Sequence, residues 1–231
     1  MPSSPVALIV GASRGLGLAL AAEYLKRGWH VVATARGTGR TALHDLADQW
    51  NSKLEIETVD ITRPAEVAAL RRRLAQRRFD LLFVNAGVSN DPGETIGEVS
   101  TEEFMRVMIT NALSPMRVIE ACEGLVTPEG TIGVMSSGLG SVANNEDGGW
   151  EVYRASKAAL NTLMRSFWAR HASEGRAMVI IAPGWVRTDM GGPAASLDIS
   201  ESIPGVVDTL ASRTGHSGLV YLDYRGRTVR W

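Results

Sequence analysis

The chain has 231 residues, 45% hydrophobic and 21% charged, with 24 Lys and Arg against 25 Asp and Glu for a net charge of −1 at pH 7. That size and composition suit one globular α/β domain with a substantial core. The near neutrality excludes broad electrostatic attraction to nucleic acid or an anionic membrane.

Read in chain order, short Val/Ile/Leu/Ala runs alternate with helical patterns. A strand is predicted over 6–10. A helix follows over 15–27, with Leu16, Leu20 and Leu25 on its apolar side. Next come a strand over 30–35, a helix over 41–50 and a strand over 54–59. The helix over 64–73 has Pro64 in its first turn, and a strand follows over 81–85. One long helix is predicted over 101–123, opened by Ser100 and Thr101 with acids at Glu102 and Glu103. The remaining elements are a strand over 131–135, a helix over 153–171, strands over 178–182 and 219–222, and a helix over 202–211 between them. Nearly continuous apolar strands separated by helices predict a parallel, doubly wound sheet covered on both faces, in a single domain over 1–231. Its cofactor half would span about 5–125 and its catalytic and substrate half about 126–231. An eightfold barrel would need about 250 residues and one more repeat.

Cys122, the single cysteine, cannot form an internal disulfide. Met1–Pro5 is too short and polar for a secretory leader, and no apolar run approaches a bilayer span. A cytoplasmic protein is expected. His30, His44, His171 and His216 lack metal-ligand spacing, so no metal is expected. No Gly-x-Ser-x-Gly elbow is present.

Chemistry concentrates in two places. The first strand runs into Gly11-Ala-Ser13-Arg14-Gly15-Leu16-Gly17, and a helix follows. Glycines there let backbone approach a pyrophosphate, and the helix start offers free N–H groups and a positive dipole end. The second strand ends Ala33-Thr-Ala-Arg36, without the acid that holds ribose hydroxyls in NAD enzymes. Arg36 and Arg14 instead suit a 2′-phosphate, which predicts NADP(H) over NAD(H). The second place is Tyr153 and Lys157, four residues apart on one helical face. A nearby ammonium favours the phenolate and lowers a tyrosine pKa from about 10.

The ordered set of motifs resembles the short-chain dehydrogenase/reductase superfamily in its single-domain form, over most of the chain to about residue 190. The Gly11–Gly17 turn matches its cofactor loop. Asp60, followed by Ile61, resembles its adenine-contacting acid. Asn85-Ala86-Gly87 resembles the segment beside the adenosine ribose. Asn111 stands where the family keeps a helix asparagine, Ser136 and Ser137 follow the fifth strand, and Tyr153 with Lys157 fills Tyr-x-x-x-Lys. Pro183-Gly184-Trp185-Val186-Arg-Thr188 resembles the loop that grips the nicotinamide. Within the superfamily, 135–161 is similar to the C-factor-like and sniffer-like carbonyl reductases. The gap from Ser137 to Tyr153 exceeds the commonest family spacing by about three residues, so the loop should bulge; of the two serines, Ser137 is favoured as the catalytic one.

The resemblance implies hydride transfer between nicotinamide and a carbonyl or alcohol carbon. Tyr153 would be the acid/base, and Ser137 would hold the carbonyl oxygen. Lys157 would lower the Tyr153 pKa and bond the ribose, and Asn111 would seat a water joining Lys157 to solvent. Ser137, Leu139, Trp150, Tyr153, Trp185 and Met190 are the expected substrate contacts, for a small to medium apolar ketone or aldehyde. The family also implies a homodimer or homotetramer. The alternative is a cofactor-binding signalling or scaffold protein with little turnover.

Overall fold

In a computed structural model, which describes residues 4–231, every predicted strand and helix is present. Met1, Ser3 and the proline between them, part of the segment read as too polar for a leader, lie outside the described residues. The strands are β1 (Val6–Val10), β2 (His30–Ala35), β3 (Leu54–Thr58), β4 (Phe79–Val84), β5 (Val126–Met135), β6 (Ala177–Ala182) and β7 (Gly218–Asp223). They pair in parallel as β3-β2-β1-β4-β5-β6-β7. The order reverses at β1/β4, which opens a crevice at the carboxyl ends of those strands.

Side-chain alternation splits these apolar strands between two cores. Leu8, Val10, Leu82, Val84, Ile132 and Val134 face one side. There they meet α3 (Pro64–Arg73), α5 (Ser114–Cys122) and α6 (Glu151–Arg170) through Leu70, Ile119 and Met164. Ala7, Ile9, Leu81, Phe83, Val179 and Ile181 face the other. Their partners are α1 (Gly15–Lys26), α2 (Ala42–Trp50) and α7 (Ile199–Ala211), through Leu20, Leu43 and Val206.

Three elements differ from expectation. The long helix over 101–123 is α4 (Thr101–Met108) and α5 joined by a π-helical turn, Ile109–Leu113. Pro115 has no N–H to give the Asn111 carbonyl, so the helical ladder slips by one residue just before it. β5 begins five residues early, because Val126 pairs with Phe79 before a register shift restores pairing at Leu81 and Thr131; Pro128 and Gly130 fall in that irregular stretch. α7 starts at Ile199 rather than 202, because Asp198 and Glu201 form a capping box in which Glu201 Oε2 accepts the Asp198 N–H at 2.9 Å.

Among the described residues no helix is long and apolar enough to cross a membrane. One His/acid cluster escapes the spacing argument. Ligand atoms of Glu123, His171 and Glu174 lie within 4.8 Å of one another. Arg176 pairs with both carboxylates, at 3.2 and 3.5 Å, and offsets one of their two charges.

Candidate active site

The glycine turn leaves β1 and enters α1 under tight constraint. Gly11 has φ +89°, and a Cβ there would stand 2.7 Å from the Ala86 Cβ. A Cβ on Gly17 would stand 2.1 Å from the Gly11 carbonyl oxygen. Two polar side chains tie the turn down: Thr34 Oγ1 accepts the Gly11 N–H at 3.0 Å, and Asn85 Nδ2 donates to the Gly11 carbonyl at 2.8 Å. The backbone is thus bare and fixed where the α1 N–H groups point outward.

A cleft of about 280 Å³ opens above the turn. Of the expected cofactor residues, it is lined by Gly11, Ser13, Arg14, Gly15, Leu16, Arg36, Asp60, Ile61, Asn85, Ala86, Gly87, Tyr153, Lys157, Pro183 and Thr188. Gly17, Gly184 and Val186 do not line it; they shape the backbone beneath. At Gly184, φ is +86° and a Cβ would meet Leu197 at 2.5 Å. Thr34, Thr62, Val88, Thr110 and Met135 also line the cleft and escaped the sequence reading. Thr62 and Val88 adjoin the Asp60-Ile61 and Asn85-Ala86-Gly87 motifs, so the chain neighbourhood was a usable signal for them.

Arg36 and Asp60 share one end of the cleft. Burial pushes the Asp60 carboxyl up, but hydrogen bonds from Thr62 and the charges of Arg36 and Arg63 win and hold it below the usual carboxylate range. Arg14 does not point at Arg36; its guanidinium pairs with Asp189 at 3.0 Å, with both side chains about four-fifths exposed. An exposed pair of this kind is weak and exchanges readily.

The catalytic candidates converge at the other end. Tyr153 sits in the first turn of α6 and is buried. Burial pushes its phenol up to about 12; the nearby Ser137 side chain pulls it down, and Tyr221 adds to the rise. Lys157 lies one turn on, 5.7 Å from the centre of the Tyr153 ring. It is buried too, and burial pushes its ammonium down to about 8. The lowered phenol pKa expected from Lys157 is therefore not found in this arrangement. Desolvation dominates both groups, and the ammonium donates to the Met135 carbonyl at 2.9 Å.

The two serines separate by environment. Ser136 is 2% exposed and donates to Asn161 Oδ1 at 2.7 Å. Ser137 is the one whose side chain acts on the Tyr153 phenol, and its Oγ accepts the Leu139 N–H at 3.1 Å. Asn111 is fully buried with its side chain committed: Oδ1 accepts the Val88 N–H, while Nδ2 donates to the Val88 carbonyl and to Ser156 Oγ. A side-chain water contact is closed to it, whereas its carbonyl lacks the helical donor at Pro115. Gly87 joins the two, since a Cβ there would stand 3.3 Å from Asn111 Oδ1 and 3.4 Å from Lys157 Nζ.

Of the expected substrate residues, Tyr153 and Met190 line the cleft; Ser137, Leu139, Trp150 and Trp185 lie outside it. Trp150 follows Gly148 and Gly149 in a left-handed run, with φ 53°. Such a conformation in a bulky residue costs about 1–3 kcal/mol. Arg154 holds the run by donating to the Gly149 and Gly148 carbonyls at 2.9 and 3.0 Å. The indole meets the Tyr153 ring edge-on at 5.8 Å, so the loop brings an aromatic against the phenol. Trp185 is half exposed and fixed by its Nε1 donating to the Gly191 carbonyl at 2.8 Å.

This geometry has close counterparts. The short chain dehydrogenase family model matches residues 5–197. A Burkholderia multivorans protein assigned as a short-chain dehydrogenase/reductase, solved with bound NADP, is 63% identical; the match covers 99% of this chain and all of that one, with a TM-score of 0.98. A carbonyl reductase from Pseudomonas aeruginosa PAO1, in complex with NADP, is 36% identical with a TM-score of 0.91, over 99% of this chain and all of that one. The C-signal protein of Myxococcus xanthus is 42% identical over 160 residues, 66% of this chain and 92% of that one.

Proposed function

The chain belongs to the short-chain dehydrogenase/reductase family of oxidoreductases, and from that membership we propose that it is an NADPH-dependent carbonyl reductase with Tyr153 as acid/base. One arrangement carries the reading: the Tyr153 phenol with the Ser137 side chain near it, a turn from buried Lys157, at one end of a cleft that starts on the Gly11 turn. The residues present fit a dinucleotide, because Gly11 and Gly17 leave no room for a Cβ and Arg36 stands at the far end of the cleft.

NADP(H), when bound, supplies or accepts the hydride. Ser137 Oγ holds the carbonyl oxygen by hydrogen bond where negative charge grows. Tyr153, kept protonated at neutral pH by burial, gives its Oη proton to that oxygen. The Lys157 ammonium, turned from the Met135 carbonyl towards the ribose and the phenol, offsets the phenolate left behind. A water on the Asn111 carbonyl returns the proton. The half over about 5–125 carries most of the cofactor contacts, and the half over about 126–231 supplies Ser137, Tyr153 and Lys157. Met190 lines the cleft and, with Leu139, Trp150 and Trp185 outside it, supplies apolar surface on the substrate side, suited to a small or medium ketone or aldehyde. The protein works in the cytoplasm as a homodimer or homotetramer.

NADPH consumption over a panel of aldehydes and ketones tests the reading, and no turnover with any of them sinks it. Arg36→Asp is expected to weaken NADPH binding about 10–100-fold by removing a charge-assisted bond to the 2′-phosphate. NADH binding should be unchanged or improved; fluorescence titration of both cofactors reads the ratio, and an unaltered ratio clears Arg36 of that role. The likeness to the C-signal protein favours a second reading, a cofactor-binding signalling module. Tight NADPH binding without turnover selects it.

A further inference from the structure

We propose that Tyr221 is a positioning residue for the reaction, the inner jaw of a clamp formed by β7 and residues 227–231 that fixes Ser137 and the loop after it; this rests on the carbonyl-reductase reading above. Tyr221 lies on β7, 84 residues from Ser137, and only 1% of it is exposed. Its hydroxyl donates to the Ser137 carbonyl. Ser137 is therefore held through its carbonyl, which accepts from Tyr221 and from the Gly140 N–H at 2.9 Å, while its Oγ accepts the Leu139 N–H and lies near Tyr153. Two phenols converge on one serine, and they do different work. The one on α6 faces the cleft, whereas the one on β7 lies in the core behind it. Asn161 completes the inner jaw by accepting from Ser136 and donating to the Gly140 carbonyl at 3.2 Å.

The outer jaw closes on the same loop. The Trp231 ring packs edge-on against Tyr221 at 5.7 Å, with the Arg165 guanidinium over its face at 5.2 Å. The Trp231 carbonyl accepts the Ala143 N–H at 3.0 Å, and Arg230 Nε donates to Asn144 Oδ1 at 2.7 Å. Val229 is tied back by its N–H to the Tyr221 carbonyl at 2.9 Å. The loop that carries Ser137 and Leu139 has turn bonds of its own, such as Gly140 N–H to the Ser137 carbonyl at 2.9 Å, and is pinned from outside by residues some 80 positions away. A serine that must present Oγ within a fraction of an ångström needs such support.

Tyr221→Phe keeps the ring and deletes only the hydroxyl. Carbonyl turnover by NADPH is expected to fall about tenfold in kcat, the scale of one buried hydrogen bond, with NADPH affinity unchanged. In a Ser137→Ala background the same change should cost nothing further, because its effect runs through that serine. Unchanged kcat, a parallel loss of NADPH affinity, or additive losses would overturn the clamp. If Tyr221→Phe does not fold, Trp231→Ala, which opens the outer jaw at the surface, should lower kcat/KM for the carbonyl substrate at constant NADPH affinity; unchanged kcat/KM overturns the proposal. Wild-type protein that reduces no carbonyl defeats the function reading instead, so the two failures are distinct.

Discussion

Tyr153→Phe is expected to lower kcat for carbonyl reduction by about a thousandfold, the middle of the range for a lost general acid. NADPH binding should be little changed, since the ring stays and only the hydroxyl goes. The ring keeps its packing and only the polar tip is lost, so the stability cost should stay under about 1 kcal/mol. The pH profile of stability gives an independent check. The folded phenol is raised from 10.0 to about 12. Its contribution is fully present below the unfolded value and is lost as pH climbs from 10 towards 12, because only the unfolded chain ionises there. The variant should lose that share of the alkaline decline and keep the shares of Tyr24 and Tyr221, whose phenols burial also raises. Retention of more than roughly a tenth of wild-type kcat would remove Tyr153 from the proton transfer.

Gly17→Ala should abolish useful cofactor binding, with NADPH affinity down roughly 100-fold. The new Cβ would stand 2.1 Å from the Gly11 carbonyl oxygen, 2.6 Å from Asn85 Nδ2 and 3.0 Å from the Ala12 Cα. Two of those three are backbone atoms and cannot rotate aside. Relief requires α1 to move away from the turn, or the Gly11 carbonyl and the Asn85 amide to part and lose their 2.8 Å bond. Overpacking of this kind costs about 1–3 kcal/mol, read as a lower urea midpoint. Gly15→Ala is the control. No atom lies within 4 Å of its new Cβ, so only the positive φ of +57° is penalised, at about 1–2 kcal/mol. Equal NADPH affinity in Gly17→Ala and wild type would show that the turn does not cradle the pyrophosphate.

Much of the site could be read from the chain because its signals are local. Strand–turn–helix glycines, an arginine at a strand end and a Tyr/Lys pair at helical spacing each occupy under ten residues. Thr34 was missed because a threonine inside a strand looks like an ordinary β-former; only its bond to Gly11, 23 positions away, gives it a task. The π-helical turn was missed although Pro115 marked it, since proline near a helical midpoint more often reads as a break or kink. Arg14 was matched with Arg36 by sequence logic, yet in the fold it lies against Asp189, 175 positions on.

Periodicity and turn chemistry alone settled the βα alternation, the bare backbone above α1 and the shared face of Tyr153 and Lys157, because each depends on neighbours within a turn or two. Which serine meets the phenol, how far burial lifts that phenol and lowers Lys157, and what grips the Ser137 carbonyl were decided only by packing. Those properties belong to contacts between β5, α6 and β7, and desolvation has no meaning until such distant segments close around a group and exclude water.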